Sequence, residues 1–82
     1  MAENLEGLSF CFTGPLESMR RSDAEALVRS LGGWIPYTVY SKTSFLVTND
    51  TASGSSKNAK ARMYGIKIIN EREFLQLVGK AA

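Results

Sequence analysis

The 82 residues leave room for one small domain, with a thin core, since a chain this short buries roughly 60–65% of the surface its unfolded form exposes. Hydrophobic residues are 44%, charged residues 22% and the net charge is +2, a globular balance that excludes a disordered tail, a collagen-like chain and a coiled coil. There is no histidine and one cysteine, Cys11, which excludes an internal disulfide, Ser-His-Asp and Cys-His nucleophile systems and the usual Cys/His zinc sites.

Residues 8–13, Leu-Ser-Phe-Cys-Phe-Thr, read as a strand. The unbroken run Phe10, Cys11, Phe12 fits a parallel strand covered on both faces, and Gly14-Pro15 stops it. Ser22-Asp23-Ala24-Glu25 has the form of a capping box. Ala24, Leu27, Val28 and Leu31 then mark one helical face, and Gly32-Gly33 ends that helix. Trp34-Ile35-Pro36-Tyr37 is a short strand, assigned to a sheet edge because Pro36 has no N–H to donate. Phe45-Leu46-Val47-Thr48 is an interior strand, followed by a polar loop over 49–55. Ser55 or Ser56 caps a helix running to Tyr64 and ended by Gly65. Ile66–Ile69 is the last strand. Asn70 caps a final helix with Glu73 three residues on, and Ile69 and Phe74 stand at the hydrophobic-staple positions. Strands alternating with helices predict an α/β domain, its sheet mainly parallel and covered on both faces. The domain is expected over 5–79, with flexible ends at 1–4 and 80–82. No apolar stretch is long enough for a membrane span or a signal-peptide core.

Charge is unevenly distributed. From Lys42 to Lys67 there are five basic residues, Lys42, Lys57, Lys60, Arg62 and Lys67, against the single acid Asp50. This is either a solvated helix face or a basic face near 57–62. Gly54-Ser55-Ser56-Lys57 lacks the spacing of a nucleotide-binding phosphate loop. It does put a lysine in the first turn of a helix, where the helix dipole disfavours a cation unless an anion visits. Thr13-Gly14 ends the first strand, and ligands of open α/β sheets sit beyond strand carboxyl ends. Arg21 is able to fork onto a phosphate or to stay solvated. Cys11, mid-strand between two phenylalanines, is expected to be buried and inert. Trp34 and Tyr37 either present a partner surface or cover the sheet edge.

Taken in order, these segments resemble a BRCT domain. Leu5-Glu6-Gly7-Leu8-Ser9-Phe10-Cys11-Phe12-Thr13-Gly14 is similar to the family's opening, and Gly32-Gly33 to its glycine pair. Ser41–Val47 resembles its "S-K-K-T-x-Y-L-V" segment. Gly54-Ser55-Ser56-Lys57, Ala59-Lys60-Ala61 and Gly65–Ile69 resemble "G-S-K-x-x-K-A-x-x-x-G-I-x-I-I", and Glu73-Phe74-Leu75 the closing "E-E-F-L". Phe74 replaces the tryptophan of many BRCT domains. That is a mark of the branch found at the end of bacterial NAD-dependent DNA ligases and in the large subunit of the eukaryotic clamp loader. Trp34 and Pro36 depart from the family's more polar edge strand.

The resemblance implies a four-stranded parallel sheet in the order 2-1-3-4, flanked by three helices. It implies a pocket for a DNA phosphate built from Thr13, Gly14 and Lys57, with Arg21 at the position that helps hold a 5′-phosphate. The implied function is a DNA-binding module without chemistry of its own, in a cytoplasmic bacterial ligase of DNA replication and repair. NAD and a divalent metal would belong to other domains of that parent, so this chain is expected to carry no catalytic residue, metal or cofactor. Its partners would be DNA, with or without a 5′-phosphate, or other domains of the parent, with the module itself a monomer. A clamp loader or a polymerase-associated exonuclease is also compatible as parent. A protein-interaction module, binding phosphopeptide or docking within its parent, is the alternative.

Overall fold

The structure is a computed structural model that describes residues 5–50 and 54–81. Three strands, β1 (Phe10–Phe12), β2 (Phe45–Val47) and β3 (Lys67–Ile69), alternate with three helices, α1 (Arg21–Ser30), α2 (Ser56–Tyr64) and α3 (Glu71–Ala81). The strands pair in parallel in the order β1-β2-β3, with Phe10 opposite Phe45 and Phe45 opposite Lys67. Successive side chains of a strand point to opposite faces, and the two faces have separate cores. Phe10, Phe12, Val47 and Ile69 pack with Ala24 and Val28 of α1 and Phe74 and Val78 of α3. Cys11 and Leu46 face the other way, against Ala61 of α2, Val39 and Ile66. Phe74 is fully buried and meets Phe10 and Phe12 edge-on, at ring-centre distances of 5.8 and 5.2 Å, the geometry that aromatic quadrupoles favour. The apolar run in β1 is thus explained by helices on both sides, as expected.

The expected edge strand at Trp34–Tyr37 is reduced to a single parallel bridge between Ser9 and Trp34, so the sheet has three strands rather than four. Trp34 donates to the Leu8 carbonyl and accepts from the Phe10 N–H, each at 3.1 Å. In a parallel ladder the next donor on that side is residue 36, aimed at the Phe10 carbonyl. That residue is Pro36, which has no N–H, so the ladder ends after one residue. Gly33 brings the chain to this edge. A Cβ there would stand 2.7 Å from Val28 Cγ1 and 3.2 Å from Leu5 Cβ, so only glycine fits.

The helix ends divide in the same way. Asn70 Oδ1 accepts from the Glu73 N–H at 2.8 Å while Glu73 Oε1 accepts from the Asn70 N–H at 3.2 Å, the reciprocal box expected for α3. Ser55 caps α2, accepting from the Asn58 N–H at 3.3 Å, and Gly65 ends that helix with φ +71°. The capping box expected at Ser22 is not formed. The cap of α1 is Arg20, with no side-chain hydrogen bond, and its carbonyl accepts from Ala24 N at 3.1 Å. Leu16 and Met19 pack against the core just before the helix, and this anchoring starts α1 one residue ahead of Ser22. The expected domain limit at 79 falls inside α3, and residues 1–4, 51–53 and 82 lie outside the described residues.

Candidate functional site

The carboxyl ends of β1 and β2 open onto a cleft of about 310 Å³ lined by Thr13, Gly14, Pro15, Leu16, Glu17, Thr48, Asn49 and Asp50. The ladder fixes its floor, because Thr13 N donates to the Val47 carbonyl at 3.1 Å and Thr48 N to the Ile69 carbonyl at 2.9 Å. Thr13 is half-buried and Gly14 exposed. Gly14 turns the chain with φ +75°, a conformation that suits glycine, and a Cβ there would meet no atom within 4 Å. The space beside its Cα is therefore open.

Lys57, in the first turn of α2, reaches across the sheet end. Its Nζ donates to the Phe12 carbonyl at 3.0 Å. By the alternation of the ladder, that carbonyl points to the side of β1 where Pro36 has ended the edge strand. The ammonium satisfies a strand-end carbonyl and stands one residue from Thr13-Gly14. The start of α2 is held in place by Asn58, fully buried, whose Nδ2 donates to the Asp50 carbonyl at 3.1 Å. No acidic residue lies in the first turn of α2, so the positive end of the helix is not neutralised locally. The structure thus brings Thr13, Gly14 and Lys57 to one end of β1. Arg21 is the first residue of α1 and is exposed; no hydrogen bond joins it to those three. Two acids, Glu17 and Asp50, line the cleft itself, so its field is mixed rather than uniformly positive.

Sequence reading missed the most connected polar group at this end of the molecule. Glu71, at the first position of α3, is only 6% exposed. Its carboxylate accepts from the Glu17 N–H at 2.7 Å, the Ser18 N–H at 2.9 Å, the Ser18 hydroxyl, and Asn49 Nδ2 at 2.9 Å. The Glu71 N–H in turn donates to Asn49 Oδ1 at 3.1 Å. The Ser18 hydroxyl, the Glu17 N–H and the Asn49 amide hold the Glu71 carboxyl down at about 2. In the sequence Glu71 reads as an ordinary acid at a helix start; its partners lie 22 to 54 residues away, beyond any local pattern.

Cys11 is buried, and that burial raises its thiol pKa above the ordinary value, with a Thr43 hydrogen bond and the Lys57 charge pulling the other way. Among the described residues no group of three Cys, Asp or Glu side chains is placed to hold a metal ion, and no helix is long and apolar enough to cross a membrane. Trp34 is 44% exposed and Tyr37 fully exposed.

A parallel sheet with α1 and α3 on one face and α2 on the other, and an open glycine turn after β1, is the architecture of one domain class. Residues 2–78 match the model of the BRCA1 C Terminus (BRCT) domain, and the chain belongs to that family. Its similar relatives include DNA ligases. The chain is 55% identical over 76 residues to a DNA ligase of Treponema denticola, covering 93% of this chain and 12% of that protein. It is 42% identical over 81 residues to a DNA ligase of Lachnoclostridium phytofermentans, covering 98% and 12%, and 46% identical over 76 residues to one of Syntrophus aciditrophicus, covering 93% and 11%. The chain therefore spans about an eighth of the length of these relatives.

Proposed function

We propose that this domain is the non-catalytic DNA-binding module of a bacterial NAD-dependent DNA ligase. It engages a DNA phosphate through Thr13, Gly14 and Lys57, with Arg21 reaching the same backbone. The observation that carries the reading is the Lys57 ammonium, 3.0 Å from the Phe12 carbonyl, beside an exposed Gly14 turn at a strand's carboxyl end. A phosphate there gains the lysine charge, the Thr13 hydroxyl, the Gly14 N–H and the positive end of α2. Glu17 and Asp50 repel an anion from the rest of the cleft, which confines it to the Lys57 side. Nucleotidyl transfer, NAD and metal belong to other parts of the parent.

With few cations available, the module holds about two to four phosphates, and affinity falls with salt at a log–log slope of roughly −2 to −4. Base contacts are not implied, so sequence preference is weak. The test is titration of a duplex with the wild-type domain, Lys57→Glu and Thr13→Ala. Lys57→Glu is expected to remove most binding, and Thr13→Ala to cost about 1–2 kcal/mol, the scale of one hydrogen bond to a charged group. Equal binding by all three puts the DNA contact elsewhere. The second reading, docking onto another protein surface, draws on exposed Trp34 and Tyr37 beside the truncated sheet edge, and is favoured by that outcome.

A further inference from the structure

We propose that Glu71 is a positioning residue for the phosphate pocket: its carboxylate holds the Glu17–Ser18 segment, and through it the Thr13-Gly14 turn, in the binding arrangement. The inference rests on the reading of Thr13, Gly14 and Lys57 as that pocket. Burying a carboxylate is costly unless every lone pair is used, and Glu71 uses its oxygens on four donors from two loops. Capping of α3 does not require it, because Asn70 and Glu73 already close that helix end. Glu71 instead ties together the three chain segments that leave the carboxyl ends of the sheet. These are the loop after β1 at Glu17 and Ser18, the loop after β2 at Asn49, and the start of α3 after β3. Glu17 and Asn49 also line the cleft that holds Thr13 and Gly14, so two partners of the clamp border the same cleft as the turn. Without it, the segment from Gly14 to Arg20 is anchored mainly by the side chains of Leu16 and Met19.

The sign of the effect separates positioning from charge. Removing a negative charge beside an anion site raises affinity if electrostatics alone matters; a fall in affinity reports lost positioning. The experiment titrates a duplex bearing a 5′-phosphate, and the same duplex with a 5′-hydroxyl, against wild type, Glu71→Gln, Ser18→Ala and Lys57→Glu, each shown to be folded by circular dichroism. Glu71→Gln is expected to weaken binding of the phosphorylated duplex about five- to tenfold, and Ser18→Ala, which keeps all charges, roughly two- to threefold. Both should shrink the preference for the phosphorylated end. Unchanged or tighter binding by Glu71→Gln overturns the proposal. If that variant does not fold, an unchanged preference in Ser18→Ala overturns it instead. If Lys57→Glu loses binding while the other two retain it, only the role of Glu71 falls; if Lys57→Glu binds like wild type, the pocket falls with it.

Discussion

Glu71 and Cys11 are both buried, and opposite forces govern their protons. The Glu71 carboxyl sits at about 2 against an ordinary 4.5 because the hydrogen bonds donated by Ser18, Glu17 and Asn49 favour its charged form. Its folded pKa is depressed, so its contribution to stability is complete above about 4.5 and is lost as pH falls through about 2. Glu71→Gln should therefore be less stable than wild type by about 1–3 kcal/mol at neutral pH. The gap should close on acidification through that window in urea titrations run at a series of pH values. A gap that stays constant down to pH 2 contradicts the assignment. The Cys11 thiol is raised by burial instead, and no ligand is needed to explain it. Labelling of native Cys11 by a thiol reagent should be at least about a hundredfold slower than in the urea-unfolded chain, because it waits on opening of the sheet. A native rate near the unfolded one would refute its burial.

Elements were legible in the sequence where their determinants are local. The α3 box needs only Asn70 and Glu73, and both pattern and structure have it. Ser55 and Gly65 bound α2 for the same reason. Ser22-Asp23-Ala24-Glu25 has an equally good local pattern, yet the helix begins at Arg21, because the packing of Leu16 and Met19 sets the chain's entry. Asn70→Ala and Ser55→Ala should each cost about 1 kcal/mol in thermal or urea unfolding. Ser22→Ala should stay within about 0.5 kcal/mol of wild type; a loss as large as that of Asn70→Ala would show that Ser22 caps after all. Pro36 marks a sheet edge in the sequence, but the ladder ends there altogether, since the residue without an N–H falls on the inward-pointing position. That register depends on tertiary pairing and is absent from the local pattern. In the proposed site, Lys57 is legible locally, as a cation in the first turn of a helix, while its grouping with Thr13 and Gly14 is legible only through the family resemblance. The Glu71 clamp is not legible, because its bonds span up to 54 residues.

At the scale of the whole molecule, one end of the sheet gathers the open turn, the lysine and the buried clamp, while the opposite faces are given over to packing. The chain matches 11–12% of the length of three DNA ligases. On the proposed reading, a DNA phosphate meets the carboxyl end of β1. Amide chemical-shift mapping by two-dimensional ¹H–¹⁵N NMR, with a 5′-phosphorylated duplex titrated into the labelled domain, tests it most directly. The largest shifts should fall on Thr13, Gly14, Lys57 and Arg21, with smaller ones on Glu17 and Ser18. Shifts confined to the segment from Trp34 to Tyr40, with the β1 end silent, would contradict it.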